Sequence, residues 1–170
     1  MAFRAYILTA SDAGARGERE DLSAPAAKEI LRAAGYEIAG CALFPDEREL
    51  LAAKMREVCD SKLADLLLTT GGTGFSPRDC TPEATAEVIE RAVPGIPEAM
   101  RYYSLQITPR AMLSRAAAGI RGGTLIVNLP GSPRAVRECL ECILPALEHG
   151  LEILKGTARN CAAPEGETMP

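Results

Sequence analysis

The chain has 170 residues, 47% of them apolar and 25% charged, with a formal net charge of −4 at pH 7. That length suits one domain with a proper hydrophobic core. The acidic balance excludes a broad nucleic-acid surface, and no apolar run reaches the roughly 20 residues of a membrane span. The segment Met1-Ala2-Phe3-Arg4 runs straight into a strand-like stretch, so no signal peptide is expected. The six cysteines are scattered through apparent core elements, which predicts reduced thiols in a cytoplasmic protein.

Phe3 to Thr9 is apolar and predicts a first strand. Ser11 to Leu22 is charged and glycine-containing, so a loop is expected there. Ser23 is placed to cap a helix running to about Ala34. Tyr36 to Leu43 predicts a second strand, and Pro45-Asp46 opens a helix through about Val58. Leu63 to Thr69 reads as a third, buried strand, followed by a helix from Thr81-Pro82 to near Arg91. The prolines between Val93 and Gly123 predict two short, broken helices, with Ser114 and Arg115 in the second. Thr124 to Asn128 is a fourth core strand. Ser132-Pro133 then opens a long helix whose apolar positions Val136, Leu140, Ile143, Leu144, Leu147, Leu151 and Leu154 share one face. Pro145 is expected to kink it. Residues 1–156 form one expected domain and 157–170 a tail.

Strands alternating with helices predict an α/β fold of three layers, with a mostly parallel central sheet and helices on both faces. In such a sheet the carboxyl ends of the strands share one edge, where α/β proteins bind ligands. Four polar turns would meet there: Ser11-Asp12, Pro45-Asp46, the Gly71-Gly72-Thr73-Gly74 loop, and Asn128 to Pro133.

The glycine loop sits behind a strand and ahead of Arg78-Asp79 and a helix start. It lacks the Gly-Lys-Ser/Thr ending of a Walker loop and the spacing of a dinucleotide fingerprint. Its amides predict a phosphate cradle. Asp79 reads equally as a helix-terminal carboxylate and as a ligand for Mg²⁺ held against a polyphosphate. Asp46 has a strong local reading as a helix cap, with Glu49 three residues on, and the same carboxylate would also face the cleft. Asn128, Pro130, Gly131 and Ser132 are expected to orient a ligand, since an amide donates and accepts and a helix N-terminus attracts anions. Ser11 and Asp12 fit an Asx-type turn as well as a site. Cys139 and Cys142 lie at i and i+3 on a helix with no second pair at zinc spacing, so they read as small core residues. The lone His149 lies on a charged helix face, which makes nucleophilic catalysis through it a poor reading.

Taken together, Thr70-Gly71-Gly72-Thr73-Gly74, Arg78-Asp79, Thr81-Pro82-Glu83-Ala84, Ser11-Asp12, Pro45-Asp46-Glu47, Ala111-Met112-Leu113-Ser114-Arg115 and Asn128-Leu129-Pro130-Gly131 resemble the signature of the MogA/MoaB molybdenum-cofactor biosynthesis family. The resemblance runs from about Tyr6 to Gly156 and looks nearest to the MogA branch, which includes the plant and gephyrin G domains. It implies a Rossmann-like fold, a homotrimer, and transfer of AMP from Mg-ATP to the terminal phosphate of molybdopterin with release of pyrophosphate. It places the functional, metal-holding carboxylates at Asp46 and Asp79 and a pterin-side serine at Ser114, with Arg115 beside it. It also implies hand-over of the product to a molybdenum-insertion protein. One departure is Ser23-Ala24, where the family usually has Ser-Gly. Other readings are a MoaB-like paralogue that binds pterin with little adenylylation, a scaffold module that takes a peptide, and a nucleotide-binding regulator that takes ATP without pterin.

Overall fold

The computed structural model describes residues 2–158. Beyond residue 158 the expected tail, with Cys161, lies outside the described residues. In chain order the elements are β1 Arg4–Ala10, α1 Asp12–Ala15, α2 Ser23–Ala33, β2 Glu37–Phe44, α3 Arg48–Asp60 and β3 Leu66–Thr70. They continue with α4 Thr81–Val88, β4 Arg91–Ala92, α5 Gly95–Leu105, a 3-10 helix at Pro109–Leu113, β5 Ala118–Arg121, β6 Thr124–Leu129 and α6 Pro133–Leu154.

One sheet carries the strand order β2-β1-β3-β6-β5-β4. The first four strands are parallel, and β5 and β4 complete the sheet antiparallel. The central strands are buried on both faces, which is why they read as continuous apolar runs. Alternate side chains divide between two cores. Ile7, Leu66, Leu68, Leu125 and Val127 pack with α2 and α6, while Tyr6, Leu8, Leu67 and Ile126 pack with α3 and α4. Val136, Leu140, Ile143, Leu147 and Leu151 of α6 are all buried, as their spacing predicts.

Several boundaries differ from the sequence reading for local physical reasons. The first loop contains the short α1, because the Ser11 hydroxyl accepts the Gly14 amide and starts a turn. Ser23 does not cap α2. The Asp21 carboxylate does so instead, accepting the amides of Ser23 and Ala24, and Ser23 Oγ donates to the Gly131 carbonyl. Ala24 packs in the core and does not line the cavity that Ser23 borders. Between Val88 and Gly123 the chain forms not only helices but also β4 and β5. Ser114 and Arg115 are not helical: they follow the 3-10 helix and lead into β5. α6 passes through Pro145 as one element. Cys139 lies in the core and Cys142 packs against it.

Candidate active site

The carboxyl ends of β2, β1, β3 and β6 lie side by side, so Phe44, Ala10, Thr70 and Leu129 deliver their loops to one edge. The glycine loop follows β3. Gly71 has φ +86°, and any β-carbon there would collide with the Ala10 carbonyl oxygen. Gly72 has φ +64° and a β-carbon would meet Asp46 Oδ1 and Thr81 Oγ1. Both positions therefore require glycine, by backbone conformation and by space.

Asp46 and Asp12 bind each other reciprocally. Asp46 Oδ2 accepts the Asp12 amide and Asp12 Oδ1 accepts the Asp46 amide, both at 3.0 Å. This pairing replaces the expected helix cap: α3 starts at Arg48 after Glu47, with no side-chain cap. Arg78 grips Asp12 with two bonds, from Nε at 2.9 Å and Nη2 at 3.0 Å. The guanidinium holds the Asp12 carboxyl well down, at about 2. Asp46 moves the opposite way: burial raises it, and the charges of Asp12 and Asp79 add to that. Asp46 Oδ1 is buried and has no hydrogen-bond partner among the described residues.

Asp79 closes the glycine loop rather than capping α4, whose first position follows Cys80. Its Oδ2 accepts the Gly74 amide at 2.8 Å and the Ser76 amide at 3.3 Å. The Gly71 amide donates to the Leu129 carbonyl. The expected four-amide phosphate cradle is thus corrected: two of the four amides already have acceptors, and those of Gly72 and Thr73 donate to no acceptor among the described residues.

Arg115 is a second correction, because it binds the loop itself. Its Nε donates to the Gly74 carbonyl at 2.6 Å, its Nη2 to the Asp79 carbonyl at 2.9 Å, and its Nη1 pairs with Glu83. Its backbone amide reaches the Thr73 carbonyl. Asn128 is a third. It is fully buried, its Nδ2 donates to Thr69 and Thr85, and its Oδ1 accepts the Ala117 amide. Both amide protons are used and the oxygen is closed off by burial, so nothing of the side chain is left for a ligand.

Two cavities flank the glycine loop. The first, about 400 Å³, is lined by Ser11, Asp46, Gly71, Gly131 and Ser132, with Arg19 to Ser23 of the first loop across from them. The second, about 270 Å³, is lined by Thr73, Gly74, Ser114 and Pro130, together with Arg101, Ser104 and Arg110. Ser114 therefore lies on the far side of the loop from Asp46. Sequence reasoning missed Arg101, Ser104 and Arg110. Thr108-Pro109 ahead of Arg110 was the available signal, since the Thr108 hydroxyl accepts the Arg110 amide and starts the 3-10 helix.

Residues 6–149 match the family described as "Probable molybdopterin binding domain". The chain belongs to that family. A molybdopterin adenylyltransferase of Helicobacter pylori (strain J99) is 43% identical over 157 residues, covering 88% of this chain and 86% of that protein. Gephyrin of Dictyostelium discoideum is 40% identical over 164 residues, covering 91% of this chain and 23% of that much longer protein. The crystal structure of the molybdopterin biosynthesis enzyme MoaB from Thermus thermophilus superposes with a TM-score of 0.86 at 51% identity. It covers 91% of this chain and 97% of that one. The solved MoaB structure shares the α/β architecture, so the chain's mostly parallel sheet is that of the family.

Proposed function

We propose that this chain is a molybdopterin adenylyltransferase of molybdenum-cofactor biosynthesis. The reading rests on one observation above the others: two cavities of unlike lining stand back to back across a single glycine loop. Two substrates bound on either side would meet at that loop. The first cavity, with Asp46, Ser11 and Ser132, suits a nucleotide triphosphate. The second, with Ser114, Arg110 and an apolar wall, suits a pterin. A terminal phosphate oxygen of molybdopterin attacks the α-phosphorus of ATP, the bond to the β-phosphate oxygen breaks, and pyrophosphate leaves. Such a transfer needs placement and charge neutralisation more than a protein nucleophile.

The donor set fits Mg²⁺. Asp46 Oδ1 is an anionic oxygen with no protein partner among the described residues, and Asp79 stands near enough to raise the Asp46 carboxyl through its charge. Among the described residues no group of three or more acidic, His or Cys side chains forms a cage. That suits a cation held by one or two carboxylates plus substrate phosphates. Asp46 and Asp79 would hold the cation, which would supply neutralisation of phosphate charge. The chain's own residues do the positioning: Arg115 and Asp79 set the loop, and the free Gly72 and Thr73 amides meet phosphate oxygens.

No helix among the described residues is long and apolar enough to cross a membrane, and the working compartment we assign is the cytoplasm. We assign the exposed Tyr102, Tyr103, Ile107, Met112 and Leu113 to a homotrimer contact, because that much apolar surface in one stretch marks an interface. Hand-over to a molybdenum-insertion protein follows from the product. The test is incubation with molybdopterin and Mg-ATP, measuring pyrophosphate and adenylyl-molybdopterin, with Asp46→Asn and Asp79→Asn beside it. Pterin-dependent product that both variants lose is expected. Pterin binding without pyrophosphate would make the chain a MoaB-like binder instead.

A further inference from the structure

Across the first cavity from Asp46 stands a wall made of residues 19–22, in the segment between α1 and α2. Its backbone does little to hold it. Among the described residues its four amides donate to no acceptor, and of its carbonyls only that of Leu22 accepts, from the Ala26 amide at 3.4 Å. Arg19, Glu20 and Leu22 are exposed. The wall also carries the charge that a polyphosphate needs. Arg19 is the only cation lining the cavity among the described residues, where Glu20, Asp21 and Asp46 are all anions. A triphosphate placed there meets one guanidinium, on a segment with almost no backbone anchorage.

The Asp21 side chain supplies the anchorage instead. Its Oδ1 accepts the amides of Ser23 and Ala24, at 2.9 and 3.2 Å, and so ties the wall to the start of α2. Its Oδ2 accepts the Thr9 hydroxyl at 2.6 Å, and Thr9 Oγ1 in turn accepts the Thr70 hydroxyl at 3.3 Å. The direction of this chain is fixed at its end, because an ionised carboxylate only accepts. Thr9 belongs to the carboxyl end of β1, and Thr70 is the last residue of β3, directly before Gly71. Both threonines are buried. One carboxylate therefore fastens an exposed segment to two central strands, at the root of the glycine loop.

We infer that Asp21 is a positioning residue for the nucleotide: by tying residues 19–22 to Thr9, it sets Arg19 against the phosphates. The identity of the ligand rests on the adenylyltransferase reading. Asp21 acts through the segment it holds and touches no reacting atom. A guanidinium on a freed segment serves the ligand only in the fraction of molecules whose segment is in place, and the apparent affinity falls by that fraction. The second cavity shares no residue with the first, so pterin binding is spared.

The test is calorimetric binding of α,β-methylene-ATP with Mg²⁺ to the full chain, beside KM and kcat for ATP at saturating molybdopterin. Asp21→Ala should weaken the nucleotide about tenfold, as for a wall in place in about a tenth of the molecules. KM for ATP should rise with it, while kcat stays within about twofold of wild type. Thr9→Val keeps the α2 cap and removes only the hydroxyl tie, so it should act in the same direction. Asp21→Asn should recover most of the affinity, because its oxygen keeps the cap and its nitrogen can donate to Thr9 Oγ1. Arg19→Ala should weaken the nucleotide too, and adding Asp21→Ala to it should cost little more, since one acts through the other. Variants that bind the nucleotide as wild type does, a fall in kcat without a rise in KM, or losses from Arg19→Ala and Asp21→Ala that add in full would each overturn this role alone. A wild-type chain that binds molybdopterin and no nucleotide would overturn the adenylyltransferase reading, and this role with it.

Discussion

Asn128→Ala separates two roles that the sequence alone could not. The wild-type amide makes three internal bonds: Nδ2 to Thr69 Oγ1 at 3.0 Å, Nδ2 to Thr85 Oγ1 at 2.8 Å, and Oδ1 from the Ala117 amide at 3.1 Å. Thr85 keeps a bond of its own to the Thr81 carbonyl, so its hydroxyl hydrogen is not orphaned. Each lost bond is worth about 1 kcal/mol, and an unpaired buried group costs more. The expected destabilisation is about 3 kcal/mol, or a fall of about 6–12 °C in melting temperature for a chain of this size. Urea unfolding followed by circular dichroism measures the first quantity, and turnover at a temperature where the variant stays folded measures the second. Turnover per folded molecule should survive. A variant that unfolds within about 0.5 kcal/mol of wild type, yet has lost AMP transfer, would refute the structural role and make Asn128 a ligand contact.

Arg115→Ala removes two bonds to the glycine loop and one ion pair that is partly open to solvent. With the exposed pair discounted, the loss should be about 2 kcal/mol, with a fall in kcat/KM that Arg115→Lys restores only in part. Gly71→Ala should abolish soluble, active protein, because the new methyl meets the Ala10 carbonyl at a positive φ; wild-type activity in that variant would mean that the loop is freely adjustable. The acid limb of turnover should lie above the ordinary aspartate range, because the Asp46 carboxyl is raised and protonates first as the pH falls. Asp12 cannot produce that limb. Its carboxyl is depressed to about 2, so the stability its ionisation confers is complete above its ordinary value and is lost only as the pH falls toward 2. A pH–rate profile of wild type beside Asp12→Asn checks this: the limb should remain, moved toward lower pH because the Asp12 charge that helps raise Asp46 is gone.

The parallel strands and their shared edge were legible because β1, β3 and β6 are short apolar runs ended by polar turns. Asp46 and Asp79 were legible as residues of that edge, but their partners were not. Asp46 matched a capping pattern in the sequence, and its true partner, Asp12, is 34 residues away. Asn128 looked like a ligand contact for the same reason, since Thr69 is 59 residues away. The strand β5 went unread because Ala118 to Arg121 is four residues long and contains a glycine. Its register against β6, Gly119 opposite Ile126, comes from pairing rather than from any local pattern.

Asp65 has a consequence of another kind. Its carboxylate takes the Arg4 amide at 2.8 Å, at the start of β1, and the Lys155 ammonium at 2.5 Å, just after α6. Entry and exit of the folded unit therefore meet at one point, at the end of the sheet opposite the ligand edge. A unit built that way is portable. It can be spliced into a larger polypeptide, or joined to another module at either side, without any linker crossing the cavities. The long gephyrin chain, in which the matching region fills 23% of the length, is what such a layout permits.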